Sequence, residues 1–582
     1  MMRISDELRQ RRRLGFFKLL IVGLGLVLLG RLGYLQIVMH TKYQAQAANE
    51  HTRKYQIPAQ RGELFVHDGN TLEPIVLNQT LKIMYADPRY VGDKAAVAAK
   101  LAAVTGGNAA TYKQRLDNGI EYAVLERRLP ADVADKVKAL KLPGIGLGDA
   151  DYRTYPEGSL AAQVLGFVNA DGQGQYGVEG YLDSQLAGTP GQLAAKTDTH
   201  GIPIATADNV VKPPQNGKSY VLTIDPNIQA MAEQELADQV QRVKAKSGSV
   251  IITDLDGAVR AMADYPTYDP NNYAGVTDYS VFINQVVTSQ FEPGSGMKAF
   301  TMAAGLDQGK IKPDTTYDDP QCVQVDDRKI CNAETDHGGK GKSMTVVLRD
   351  SLNTGVMFVL RMLGGNPDAI TAAGKRLLYD YFTKHFGFGT RTGIEQSGEA
   401  AGVVPPANTN NVTYANMSFG QGMSVTMVQM AAAMAAVANG GTLYQPRVVD
   451  GVLRDDGTEA PLGAKKLADH VMSPSAISDL TQMLTVVVEH GSGYQAKIKG
   501  YEGQIAGKTG TAQIAKPDGT GYIAGANIGS FIGFAPVNKP RFILMVRINE
   551  PQVPGYAEVT TVPVFHDICS WLFKYYGIAP SS

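Results

Sequence analysis

One apolar run near the N-terminus constrains this chain most. From Leu14 to Met39 only Lys18 and Arg31 carry charge. A helix needs about 20 mostly apolar residues to cross a bilayer, and charges near its ends snorkel to the interface. Arginines at positions 3, 9, 11, 12 and 13 precede the run. The positive-inside rule keeps such a terminus in the cytoplasm, so the run is expected to be a retained anchor with everything after it exported. The competing reading is a cleavable leader, for which Ala45-Gln46-Ala47 offers a small-x-small site. The strongest apolar core, Leu19 to Leu29, ends far ahead of that site, which favours the anchor. Under either reading the bulk of the chain leaves the cytoplasm.

At 582 residues the chain is too long for one core and should hold two or more domains. A net charge of -1 gives no case for nucleic acid as a partner. Three cysteines are too few for a disulfide framework and lack zinc-ligand spacing, so neither a metal nor a cofactor is expected. Cys322 and Cys331 read equally as one loop-closing disulfide or as two thiols, and Cys569 reads as a core residue.

Residues 48–214 are punctuated by turns and suggest alternating strands and short helices, with no catalytic motif. "NVVKPPQNGKS" (209–219) reads as a linker, on Pro213-Pro214 and Asn216-Gly217. A strand then precedes Asp225-Pro226 and a helix. Two β-rich runs join around Asp256-Gly257, a hairpin signal. From residue 295 to about 480 the pattern is mostly helical, including "VTMVQMAAAMAAVANGG", a buried helix ended by Gly440-Gly441. Strands return in "GSFIGFAPV" and "RFILMVRIN", and a helix closes the chain. Strands at both ends with helices between them predict a mixed α/β fold, its antiparallel sheet built from distant parts of the chain and flanked by helices.

Three short patterns carry the chemistry. "FEPGSGMKAF" (291–300) sets Ser295 three residues before Lys298, where a Pro-Gly break runs into a helix that Gly309 closes. Positions i and i+3 are neighbours on one helix face. Taken alone, the pair reads as an N-cap serine with a solvated lysine. "RDSLNTG" adds Ser351 and Asn353, and "IAGKTGTAQ" adds Lys508, Thr509, Gly510 and Thr511 at the start of a β-rich run. Each match is loose by itself. Ser-x-x-Lys, Ser-x-Asn and Lys-Thr-Gly in this chain order form the signature of penicillin-recognising serine acyltransferases. A buried lysine beside other cations loses its proton readily and can take the Ser295 proton. Ser351 can relay a proton to a leaving amine, and Asn353 offers a donor and an acceptor to a peptide backbone. Lys508 supplies positive charge, the Thr509 and Thr511 hydroxyls can grip a carboxylate, and Gly510 lets a substrate lie along the strand. The backbone N–H groups of Ser295 and Thr511 could form the oxyanion hole.

The chain resembles the class B penicillin-binding proteins over nearly its whole length. "GRLGYLQ" looks like that family's membrane exit. "RGELFVHDGN" is similar to its Arg-Gly box, with His67-Asp68-Gly69 where Asp-Arg-Asn is usual. "YGVEGYLDSQLAGTPG" is similar to its Gly-x-Glu stretch, and "SFGQGMSVTMVQMAAAMAAVANGG" and "FIGFAPVNKPRF" match its transpeptidase domain. The resemblance implies a cytoplasmic tail (1–13), a transmembrane anchor (14–39), an elongated α+β pedestal (40–214), and a transpeptidase domain (215–577) with a mostly helical subdomain. It implies a single-pass protein of the cytoplasmic membrane with its catalytic domain outside. The implied reaction has Ser295 attack the D-alanyl-D-alanine end of a peptidoglycan stem peptide, release D-alanine and pass the acyl group to a neighbouring amine. β-Lactams would trap Ser295, and a SEDS-family glycosyltransferase of the inner membrane, with division or elongation proteins, would be the partners.

Rival readings stay in view. A secreted β-lactamase would not need the anchor and pedestal, whereas some D,D-carboxypeptidase activity shares the same acyl-enzyme. A catalytically silent scaffold of the division assembly is the alternative from another class. A β-lactam sensor would need a signalling domain on a cytoplasmic side that offers only about a dozen residues. "FEPGS" and "TGIEQSGE" look more like the septal than the side-wall branch of the family.

Overall fold

The computed structural model describes residues 2–44, 52–118, 122–196, 210–333, 336–516, 521–553 and 555–581. The candidate cleavage site Ala45-Gln46-Ala47 lies outside them. The chain divides into two compact units.

The first unit comprises residues 1–60 and 188–217. Its helix Met2–Gly33 contains no proline and continues as a wider turn over Tyr34–Val38. Within it, Arg11–Val38 has a mean hydropathy of 2.0 and presents its apolar side chains outward, long and apolar enough to cross a membrane. The strands Thr52–Ile57, Gly191–Lys196 and Val210–Lys212 form an antiparallel sheet. The last of these corrects the linker reading of 209–219. Val210 and Val211 are β-branched and pair with residues 193–194, so only the Pro-Asn-Gly portion turns.

The second unit is built on two large sheets. One takes Leu64–Asp68, Thr71–Ala86, Ala123–Leu129 and Ile145–Thr154 from the first third of the chain. Ser219–Leu222 joins it in parallel, with Tyr220 opposite Leu64, and Val449–Leu453 and Glu459–Pro461 complete it. Beneath this sheet the Arg-Gly and Gly-x-Glu motifs meet. The Arg61 guanidinium binds Glu179 and Asp183, and Arg153 takes the other Glu179 oxygen at 2.6 Å. His67, the departure in the Arg-Gly box, pairs with Glu459 at 3.0 Å, and Asp68 accepts from Asn227.

The other sheet is antiparallel, in the order Val259–Tyr265, Ser247–Asp254, Phe542–Asn549, Tyr522–Ala535, Ala506–Ala515. Its hairpin turns at Gly257, which has φ +89. Helices Pro226–Arg242 and Val562–Tyr575 cover one face, where Cys569 is buried. Against the other lies Met427–Ala438, apolar except for Gln429 because it is enclosed, and fixed at its start by a Thr426/Gln429 capping box.

The span read as mostly helical needs correction. It holds the hairpins Thr316–Asp319 with Gly339–Ser343 and Cys322–Val325 with Arg328–Cys331. It also holds the strands at 443–444, 449–453, 459–461 and 466–468. Asp326 takes the left-handed turn that the second hairpin requires, at φ +48, and Cys322 and Cys331 close it as a disulfide.

Candidate active site

Ser295, the candidate nucleophile, sits where two backbones nearly touch. Pro293 and Gly294 break the chain, and a 3-10 turn, Gly294–Met297, precedes the α-helix Lys298–Asp307. A 3-10 turn has three residues per turn, so Ser295 and Lys298 stack one above the other. Gly294 has φ +52, and a Cβ there would stand 2.4 Å from the Thr511 carbonyl oxygen. A Cβ on Gly510 would stand 2.8 Å from the Pro293 oxygen. The missing side chains let the serine turn lie against Ala506–Ala515, the edge strand of its sheet.

Three amine and hydroxyl groups converge beside that contact. Lys298 is fully buried, and its Nζ donates to the Ser351 carbonyl and, at 3.1 Å, to Ser351 Oγ. Lys508, also fully buried, reaches the same Oγ at 3.1 Å. Lys508 Nζ further donates to the Thr509 oxygens Oγ1 and O at 3.1 and 3.2 Å. Ser351 holds φ +60, a conformation rare for serine that recurs at functional sites. It links helices Met344–Arg349 and Asn353–Leu363, and so its hydroxyl bridges both lysines.

Burial, and then the neighbouring Lys508, lower the Lys298 ammonium well below its ordinary value. Burial lowers Lys508 to about 7, partly opposed by Glu558. The positive charge expected at Lys508 is therefore not fixed in the free protein. A substrate carboxylate at Thr509 would favour its return.

Of the residues singled out in the sequence, Lys298, Ser351, Lys508 and Thr509 are joined by direct hydrogen bonds. Ser295 Oγ is not in that set, since Lys298 donates to Ser351 instead. Gly510 and Thr511 flank the serine turn. The Ser295 amide lies in the first turn, where N–H groups lack helical acceptors, and an edge strand directs alternate N–H groups outward. Asn353 commits one amide N–H to the Cys331 carbonyl at 2.9 Å, leaving its oxygen as an acceptor. The disulfide hairpin thus seats this asparagine.

Sequence reasoning missed the supporting residues. Ser492 Oγ lies 2.7 Å from Thr509 Oγ1. Asn332 receives the Thr354 amide at 3.0 Å, and Asp319 receives the Thr354 hydroxyl at 2.8 Å, bracing the Asn353 helix. Lys342 in turn pairs with Asp319 at 2.8 Å. The spacing of these polar residues matches no motif, so nothing in the sequence marks them.

The two lysines set opposite limits on pH. With Lys298 read as the base, falling pH protonates it and ends that role. With Lys508 read as the carboxylate's partner, rising pH through about 7 discharges it and weakens that capture. kcat/KM for a D-alanyl-D-alanine peptide is expected to fall on both sides. Lys508→Arg, whose guanidinium stays charged, should remove the alkaline limb. A pH–rate profile checks this, and an unchanged alkaline limb in that variant would assign it to another group.

Ser295 one 3-10 turn ahead of the buried Lys298, with Ser351 bridging to the buried Lys508, brings together the Ser-x-x-Lys, Ser-x-Asn and Lys-Thr-Gly patterns of the penicillin-recognising serine acyltransferases. Residues 248–570 match the family described as penicillin binding protein transpeptidase domain, and residues 56–222 match the penicillin-binding protein dimerisation domain. Stage V sporulation protein D of Bacillus subtilis is 34% identical over 565 residues, which span 95% of this chain and 83% of that protein. The peptidoglycan D,D-transpeptidase FtsI of Escherichia coli is 30% identical over 567 residues, 95% and 90% of the two chains. The crystal structure of penicillin binding protein 3 from Mycobacterium tuberculosis, complexed with aztreonam, is similar with a TM-score of 0.69 at 26% identity, covering 91% of this chain and 98% of that one. The chain belongs to the class B penicillin-binding proteins.

Proposed function

We propose that this protein is a peptidoglycan D,D-transpeptidase working through a Ser295 acyl-enzyme in septal wall synthesis. The observation that carries the chemistry is Ser351 Oγ, 3.1 Å from both lysine amines beside the Ser295 turn. In the first step Ser295 Oγ attacks the carbonyl carbon of the penultimate D-alanine, and its proton passes to Lys298. The C–N bond breaks, Ser351 relays a proton to the leaving nitrogen, and D-alanine departs. In the second step an acceptor amine attacks the ester, a new C–N bond forms as the acyl C–O bond to Ser295 breaks, and the amine proton returns to Ser295 Oγ through Lys298. The N–H groups of Ser295 and Thr511 stabilise both oxyanions. Lys508, Thr509 and Thr511 hold the terminal carboxylate, Asn353 accepts from the substrate backbone, and Gly510 lets the peptide lie along the strand.

In this reading residues 1–13 lie in the cytoplasm, 14–39 span the membrane, 40–214 form the pedestal and 215–577 the catalytic domain outside. The apolar helix and the two family matches support that order. Glycan polymerisation is assigned to a SEDS-family membrane partner, with division proteins around it. The likeness of "FEPGS" and "TGIEQSGE" to the septal branch supports the septal assignment. Incubation of the purified chain with benzylpenicillin tests the chemistry. A mass gain of one drug molecule, mapped to the peptide bearing Ser295, is expected. A folded protein that takes no adduct would leave the silent scaffold.

A further inference from the structure

The acyl-transfer steps above leave one anion beside the nucleophile unused. Glu292 stands three residues before Ser295 and is half-buried. Its Oε1 accepts from the Gly422 amide at 2.8 Å and its Oε2 from the Tyr522 hydroxyl at 3.2 Å. Both donors are neutral, and no ion pair reaches this carboxylate among the described residues. Burial pushes the carboxyl up from its ordinary value, and the two hydrogen bonds oppose that rise. A carboxylate withdrawn from water and held only by neutral donors lacks a counter-charge.

A cavity of about 410 Å³ opens onto it. Gln513 and Ile514, the residues just past Thr511 on the edge strand, form one wall, and Val403, Met423 and Ser424 form another. Among the described residues, Glu292 is the only charged side chain in that lining. The cavity sets the apolar side chains of Val403, Met423, Ile514 and Ile528 beside that anion, which suits a methylene chain ending in a cation. A peptide laid along the edge strand and continuing past Thr511 runs into it.

We propose that this cavity is a subsite for a primary ammonium group carried by a stem peptide, with Glu292 as its counter-ion. The inference rests on the transpeptidase reading and names a chemical feature of its substrate. The ammonium has two possible sources, the side chain of the donor peptide being acylated onto Ser295 or the amine of the acceptor.

The test uses the full chain in detergent. In the first arm, D-alanine release is compared for Nα,Nε-diacetyl-L-lysyl-D-alanyl-D-alanine and its Nα-acetyl counterpart with a free side-chain amine. In the second, the diacetylated donor is supplied with a free-amine or an Nε-acetylated lysyl tripeptide, and donor consumption is followed by mass. Binding the ammonium is expected to favour the free amine by about tenfold or more in kcat/KM in one arm, the worth of one charge-assisted hydrogen bond. Preference in the first arm identifies the donor as source. In the second arm the acetylated tripeptide has no amine to acylate, so there the diagnostic is a loss of about tenfold or more in acceptor kcat/KM in Glu292→Gln, relative to that variant's D-alanine release. Such a loss identifies the acceptor.

Glu292→Gln should bring a first-arm preference close to one. Ser424→Lys, which sets a competing cation in the cavity, should do the same if the glutamine variant fails to take a benzylpenicillin adduct and so fails to fold. A first-arm ratio near one in the wild type together with undiminished acceptor use in both variants overturns the subsite, as does a preference that survives both substitutions. Absence of D-alanine release from every peptide, together with no drug adduct, overturns the transpeptidase reading itself.

Discussion

Lys298→Ala slows acylation by benzylpenicillin about 10²–10⁴-fold, the range that one positioned proton-transfer group supplies. The expectation rests on where the amine is, fully buried with Ser351 as its partner and Lys508 across the same hydroxyl. Burial first and Lys508 second keep it poor in protons, which is what a base needs. Lys298→Arg should fail as badly, because a guanidinium of similar reach does not release its proton. Adduct formation followed by intact mass over time measures both variants. An alanine variant acylated within about threefold of wild type would place the base elsewhere. Stability separates lost chemistry from lost fold. A lysine whose folded-state pKa is depressed binds fewer protons folded than unfolded between the two values, so the wild type gains stability as pH rises through that window toward 10.5. The alanine variant lacks this term. Its thermal midpoint relative to wild type is therefore expected to be higher in acid than in alkali.

The site was legible in the sequence to the extent that its residues are local. Ser295 and Lys298 are three apart, Ser351 and Asn353 two apart, and Lys508 to Thr511 contiguous, so spacing alone places each set on one turn or strand. The Asp256-Gly257 hairpin and the enclosed Met427–Ala438 helix were legible for the same reason. What was not legible is held by contacts between distant residues. Tyr220 pairs in parallel with Leu64, and the Glu63 amide donates to Ser219 Oγ across 156 positions. No periodicity announces such a pairing. The hairpins between 316 and 343 are short, polar and half-exposed, and a disulfide with the Asp319–Asn332–Lys342 contacts holds them. Their sequence therefore carries little of the alternation that marks a half-buried strand. Ser492 is one serine between glycines, and only the fold sets it against Thr509.

Glu179→Ala is expected to cost about 3–5 kcal/mol, the penalty for removing one partner of a buried ion cluster. Glu179 is 0% exposed, and Arg61 and Arg153 beside it are 10% and 3% exposed. Each of its carboxylate oxygens holds one guanidinium, with Nε contacts of 2.8 and 2.6 Å. With Asp183 on Arg61, two cations meet two anions. Among the described residues, removing Glu179 leaves Arg153 without an anion and Arg61 with only Asp183, which is 35% exposed. Against a typical folding stability of about 5–15 kcal/mol this is a large fraction. Glu179→Gln keeps an acceptor for one arginine and should cost less. Thermal or urea midpoints of the three proteins measure the order, and a loss below about 1 kcal/mol for alanine would mean that the arginines find water or another anion. The consequence reaches the active site through hydrogen bonds. Ser397 Oγ donates to the Gly177 carbonyl at 3.2 Å, and Gln396 donates to the Val164 carbonyl at 3.0 Å. Gln396 also accepts from Asn284, which caps the short helix Gln285–Thr288 ahead of the Ser295 turn. The alanine variant should therefore still take a benzylpenicillin adduct when cold. The temperature at which it ceases to do so should fall together with the melting midpoint, because the motif that holds the arginines also seats the segment leading to Ser295.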